Sequence, residues 1–178
     1  MKKESIKKIC LSAVMAALYV GLDFLAVSVS APFGGSMKFS VSGLPVIIIS
    51  AFFGPVWGAL TGFTGAFLGQ MITYGFGATT FLWVLPAVAR GLSFGFLFKA
   101  FKKSIKPHIL CIETIISALV VTVINSIVMY IDSKVYGYPA VILGVSLVNR
   151  IVAAIITSVV FALILPPILK ALKKVIKM

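Results

Sequence analysis

Long apolar runs, separated by short polar or Gly/Pro-rich connections, organise this sequence. The first, residues 9–29, has about twenty residues, the length at which a helix crosses hydrocarbon. It follows a basic start and precedes small residues (Ser28, Ser30, Ala31), as a secretory signal would, but its length and the runs after it predict a retained first helix. Pro32, Gly34 and Gly35 then mark residues 30–40 as the longest ordered loop. The second run, 41–53, is short and carries Pro45, which predicts a tilted or kinked span, or one helped across by its neighbours. Gly54-Pro55 reads as a tight turn. In the third run, 56–73, Gly58, Gly62, Gly65 and Gly69 lay a smooth stripe along a helix face and invite close approach by another helix. The fourth run, 79–98, follows the turn-like Tyr74-Gly75-Phe76-Gly77 and contains Pro86; the fifth is 109–131. The sixth, 141–165, stops at Pro166-Pro167, and the lysine-rich stretch beyond is expected to lie along the membrane surface. The pattern predicts an all-α membrane protein: a compact bundle of six transmembrane helices forming one domain over 1–178.

Composition agrees with the pattern. Of 178 residues, 61% are hydrophobic and 11% charged, and mean hydropathy is +1.16. A soluble domain carries roughly a quarter charged residues. The net charge of +12 would suit nucleic acid if the basic residues formed one face. Instead twelve lysines fall in three clusters at run ends: Lys2, Lys3, Lys7, Lys8; Lys99, Lys102, Lys103, Lys106; and Lys170, Lys173, Lys174, Lys177. The opposite connections hold only Lys38 and Lys134, the latter near Asp132. By the positive-inside rule this asymmetry excludes nucleic acid as the partner, places both termini in the cytoplasm and requires an even number of spans.

Ionisable or strongly polar residues within such runs are costly and therefore candidates for function. Arg90 falls half way along the fourth run, Asn149 and Arg150 in the outer part of the sixth, Asp23 in the outer half of the first, Gln70 and Thr73 near the outer end of the third, and Asn125 in the outer half of the fifth. Apart from Arg90 they lean to the external side. They predict a pocket open to the outside, joined by Trp83, Phe33, Tyr74, Tyr130 and Tyr136. Each has a plainer reading. Arg90 could pair with Asp23, the asparagines could bond between helices, and Trp83 and the tyrosines could belong to an interfacial belt. Glu113 and His108 are expected to be solvated at the cytoplasmic interface.

Catalytic chemistry has little to draw on. There is no carboxylate pair, no Ser/His/Asp set and no phosphate loop of the Gly-x-x-x-x-Gly-Lys-Ser/Thr type, so any ATP hydrolysis belongs to a partner. Cys10 and Cys111 lack metal-ligand spacing and are expected to remain reduced thiols. Neither a metal nor a resident cofactor is expected.

Several motifs carry a family resemblance: Ala13-x-x-x-Ala17 in the first run, Lys38-Phe39-Ser40-Val41-Ser42-Gly43-Leu44-Pro45, and Phe53-Gly54-Pro55-Val56-Trp57-Gly58-Ala59. Over nearly its whole length the chain resembles the substrate-binding S-components of energy-coupling factor (ECF) vitamin transporters. Leu85-Pro86, Arg90-Gly91-Leu92 and Gly95 look closest to folate-type and related uncharacterised members. The resemblance implies a vitamin-capturing subunit in the bacterial plasma membrane. It works with a transmembrane coupling subunit and two cytoplasmic ATPases and topples to release its substrate. It maps coupling-subunit contact onto Ala13 and Ala17, for which packing within the bundle is the alternative. It maps substrate binding onto Trp83, Arg90, Asn125, Asn149 and Arg150, with Phe33 and Tyr74 as lid residues. Two arginines suit an anionic vitamin and the aromatics a flat ring; folate offers both, and pantothenate or a deazapurine also fit. The competing classes are an autonomous secondary transporter or channel, with Asp23 as its one embedded acid, and a membrane scaffold without a ligand.

Overall fold

The structure, a computed structural model, describes residues 2–30, 36–139 and 141–176. In chain order these form α1 (Lys2–Phe24), β1 (Val27–Ser30), β2 (Ser36–Phe39), α2 (Gly43–Phe53), α3 (Pro55–Tyr74), α4 (Thr80–Ala100), α5 (Pro107–Tyr136) and α6 (Val141–Ile176). Four of the helices, α1, α4, α5 and α6, are long and apolar enough to cross a membrane. They expose large aliphatic side chains such as Leu18, Ile155 and Leu163, which water would not tolerate in such number and lipid does.

At the centre lies the shortest helix. α2 has 11 residues, about 16 Å at 1.5 Å per residue, and every residue from Gly43 to Ala51 is buried. It packs against α1, α3, α4 and α6. One end sits among the lysines: Lys8 lies 6.0 Å from the Phe53 ring centroid, and the Lys99 side chain approaches Gly54. The other end, Gly43, meets the Arg90 side chain, and Arg90 is ten residues, roughly 15 Å, from either end of α4. The helix therefore fills only the lysine-bearing half of the bundle. There its Leu44, Ile47, Ile48 and Ala51 join Phe94, Phe98, Leu110, Phe161, Leu165 and Leu169 in the main apolar core.

Glycines permit this packing. A Cβ on Gly91 would strike the backbone of Gly58 and Ala59, and one on Gly58 would strike Ser50. A Cβ on Gly62 would come within 2.5 Å of the Ala87 carbonyl oxygen, and one on Gly95 within 2.5 Å of the Pro55 Cα. The stripe on α3 is thus divided among partners: Gly58 and Gly62 take α2 and α4, Gly65 takes the Tyr19 ring of α1, and Gly69 faces open space. The close approach also lets Ser50 Oγ donate to the Gly91 carbonyl at 2.8 Å, satisfying a hydroxyl that lipid could not.

Several expectations are corrected. The first helix ends at Phe24 instead of continuing to residue 29. Val27–Ser30 pairs antiparallel with Ser36–Phe39, Val27 opposite Phe39. The alternating Val-Ser-Val-Ser favours a strand, and the pairing satisfies backbone groups that a loop would leave open. Pro45 does not kink α2: it occupies the first turn, where its missing N–H has no intrahelical partner to lose. α6 does not stop at Pro166-Pro167 but continues to Ile176, so the last lysines extend that helix. Leu165 and Leu169, both buried in the core, hold it on course through the prolines. Glu113 is not solvated. It is wholly buried on α5, one turn from the core residue Leu110, and neither carboxylate oxygen has a partner among the described residues.

The glycine contacts make a direct prediction. Gly91→Ala should destabilise the bundle on the order of 1–3 kcal/mol through overpacking. Gly144→Ala, where nothing lies within 4 Å of the added carbon, should be nearly neutral. Thermal unfolding of the two variants in detergent checks the contrast.

Candidate functional site: a polar cavity above the short helix

Because α2 stops at Gly43, the space beyond it within the bundle is empty of main chain. It forms a cavity of about 870 Å³ that opens toward the α3–α4 connection, at the end away from the lysines. The volume lies within the range of small-molecule sites. Its wall is unusually polar for the interior of an apolar bundle, and the polar groups collect in two clusters.

The first cluster surrounds the α2 N-terminus. Asp23 Oδ1 of α1 lies 3.3 Å from the Ser40 and Ser42 hydroxyls, which are 2.7 Å apart, so two hydroxyl protons serve three contacts, with Asp23 as an acceptor. The Ser42 N–H donates to Ser40 Oγ. Arg90 reaches the same place from α4, its side chain lying over Gly43 with Tyr19 of α1 nearby. A cation beside a helix N-terminus faces the positive end of its dipole, and both attract the same thing: an acceptor or an anion.

The second cluster joins α4, α5 and α6. Asp132 Oδ1 accepts from Trp83 Nε1 at 3.2 Å, and Oδ2 accepts from the Tyr138 hydroxyl at 2.9 Å. That hydroxyl also lies 3.0 Å from the Met129 carbonyl. Burial, reinforced by Asp132, pushes the Tyr138 phenol up to about 12, which keeps it a proton donor. Arg150 lies with its guanidinium carbon 5.9 Å from the centroid of the Trp83 ring, a cation–π placement. Its Nη1 is buried and has no partner among the described residues.

The candidate residues read from sequence divide as follows. Trp83, Arg90, Asn125, Arg150 and Tyr74 line the cavity, together with Asp23, Gln70, Thr73 and Tyr136. Asn149 is buried beside Arg150 and is not part of the lining. Tyr130 lies elsewhere, beneath the Lys134 ammonium at 5.6 Å from the ring centroid. Phe33 falls outside the described residues. Ala13 and Ala17 are exposed on the outer face of α1, away from the cavity, and leave that face free for a partner.

Sequence reasoning missed Tyr19, Ser40, Ser42 and the central role of Asp132. The Tyr19/Asp23 spacing of four along α1 could have flagged the first. In the sequence Asp132 stands out only as lying near Lys134; in the structure its two oxygens accept from Trp83 and Tyr138. Cys10 and Cys111 are free, and no group of three or more His, Cys, Asp or Glu converges among the described residues.

Comparison with known proteins places this architecture. No curated protein is similar enough in sequence to count as a match. A solved structure, the S component of a bacterial ECF transporter, superposes with a TM-score of 0.67 at 22% identity, covering 95% of this chain and 99% of that one. At that identity the likeness establishes the fold. The family model for the ECF-type riboflavin transporter S component matches residues 3–174, nearly the entire chain. A helical membrane bundle, a short central helix with a polar cavity above it and this match together make the chain a member of the ECF-type riboflavin transporter S-component family.

Proposed function

We propose that this chain captures a flat, acceptor-rich vitamin from outside the cell and delivers it for ATP-driven uptake by a separate coupling module. In this reading all six helices sit within the bacterial plasma membrane. The three lysine clusters and both termini face the cytoplasm, and the cavity faces out. The chain itself hydrolyses nothing. A transmembrane coupling subunit, contacted through Ala13 and Ala17, and two cytoplasmic ATPases supply the energy. S-component family membership supports this division of labour.

One observation carries the substrate class. Arg90 and Arg150 are the only two arginines in the sequence, both line one cavity, and the buried Nη1 of Arg150 has no hydrogen-bond partner among the described residues. In the same wall Asp132 accepts from tryptophan and tyrosine donors, not from Arg150. Buried cationic donors without partners are costly, and a ligand that supplies acceptors recovers that cost. Folate fits best, with carbonyl and carboxylate acceptors at its two ends and a pterin ring for Trp83. Riboflavin is the second reading, favoured by the description of the family model; its ring carbonyls offer acceptors without formal charge.

Calorimetric titration of the purified chain with folate and riboflavin separates the two. Folate is expected to bind with a Kd below about 1 µM and riboflavin at least tenfold more weakly. The reverse order would establish the second reading, and no binding of either would remove both. Arg150→Ala is predicted to weaken binding at least tenfold, about 1.4 kcal/mol, with the protein still folded. Ala13→Trp should leave binding intact and abolish co-purification with the coupling subunit, because the exposed face of α1 lies away from the cavity.

A further inference from the structure

Asp132 and Arg150 stand on the same cavity wall, both contribute to one cluster around Trp83, and yet they do not form an ion pair. In a low-dielectric interior an acid and a guanidinium so placed would be expected to join, since a bidentate bridge satisfies both. Two neutral donors compete with the guanidinium for the carboxylate. Trp83 donates to Oδ1 and Tyr138 to Oδ2, and Asp132 is only 9% exposed. Arg150 is held instead against the indole ring, with Nη1 unbonded among the described residues.

We propose that Tyr138 and Asp132 are positioning residues for substrate capture: the Tyr138 hydroxyl engages Asp132 Oδ2 and orients the carboxylate toward the Trp83 indole, without drawing Arg150 into a salt bridge. The guanidinium then remains available to the incoming ligand. Neither residue touches the ligand in this scheme. Their effect passes through Arg150 and Trp83, and the proposal rests on the ligand-binding role assigned to Arg150 above. The arrangement also ties the cavity to the segment after α5. Tyr138 lies just past Gly137, which adopts a φ of 74° and turns the chain back toward the cavity wall. A hydroxyl on this connection therefore governs the charge available on α6.

A double-variant cycle tests the mechanism, because a merely structural role for Tyr138 would give losses that accumulate. Tyr138→Phe releases Oδ2 and should let Asp132 capture Arg150. The combined Asp132→Asn, Tyr138→Phe variant keeps an oxygen for Trp83 but removes the charge that captures the guanidinium. Tyr138→Phe is expected to weaken folate binding about tenfold, and the double variant should recover to within about threefold of the parent chain. A second readout needs no vitamin: phenylglyoxal modification of Arg150, followed by peptide mass spectrometry. It should slow about fivefold in Tyr138→Phe and return in the double variant, because a guanidinium locked in an ion pair is protected.

Recovery in the double variant supports the proposal. An unchanged Tyr138→Phe, or a double variant no better than the single one, overturns it. If the parent chain binds neither folate nor riboflavin while the modification rates follow the expected order, the positioning role stands and the vitamin assignment falls.

Discussion

A helix of 11 residues, about 16 Å, covers only about half of the hydrocarbon thickness, and most of what is distinctive here follows from placing one at the centre of a bundle. α2 fills the lysine-bearing half with Leu44, Ile47, Ile48 and Ala51 and leaves the other half unfilled. Its N-terminus then lies deep in the bundle, and a group of polar side chains stands beside it. Ser40, Ser42, Asp23 and Arg90 are that group. The cavity and its first polar cluster meet at that end of the helix.

Close packing of α2, α3 and α4 makes the arrangement rigid enough to be specific. Gly58, Gly62, Gly91 and Gly95 bring backbones into contact, and α4 is thereby fixed at the height that sets Arg90 over Gly43. The same helix carries Trp83 two turns earlier, where Asp132 and Arg150 meet it from α5 and α6. Small residues in the apolar half thus set the geometry of charged residues in the polar half. Tight packing is also why a buried, unpartnered Glu113 can persist on α5: the bundle around it is held by contacts that do not involve its carboxylate.

Much of this was legible in the sequence, for identifiable reasons. Apolar runs of membrane length and a one-sided lysine distribution expose helices directly, because lipid imposes a simple length rule. Arg90, Arg150 and Trp83 stood out because such residues are rare in hydrocarbon. What escaped were features whose cause is tertiary. The β1–β2 hairpin looked like loop, since its proline and glycines outweighed a four-residue alternation. Pro166-Pro167 read as a stop, because the buried leucines that carry α6 past them are visible only in the packed bundle. Asp132 drew no role from the sequence, because its partners lie on another helix and beyond the end of its own.

The account depends on the cavity above α2 being the place where a small molecule is held. Native mass spectrometry of the detergent-solubilised chain, alone and with Gly69→Trp, addresses that claim most directly. Gly69 lines the cavity and has nothing within 4 Å of an added Cβ, so an indole there fills the space without disturbing the helix contacts. The account predicts one bound organic molecule per chain in the parent protein and none in the folded variant. Retention of the molecule by a folded Gly69→Trp chain would place the binding site elsewhere and contradict it.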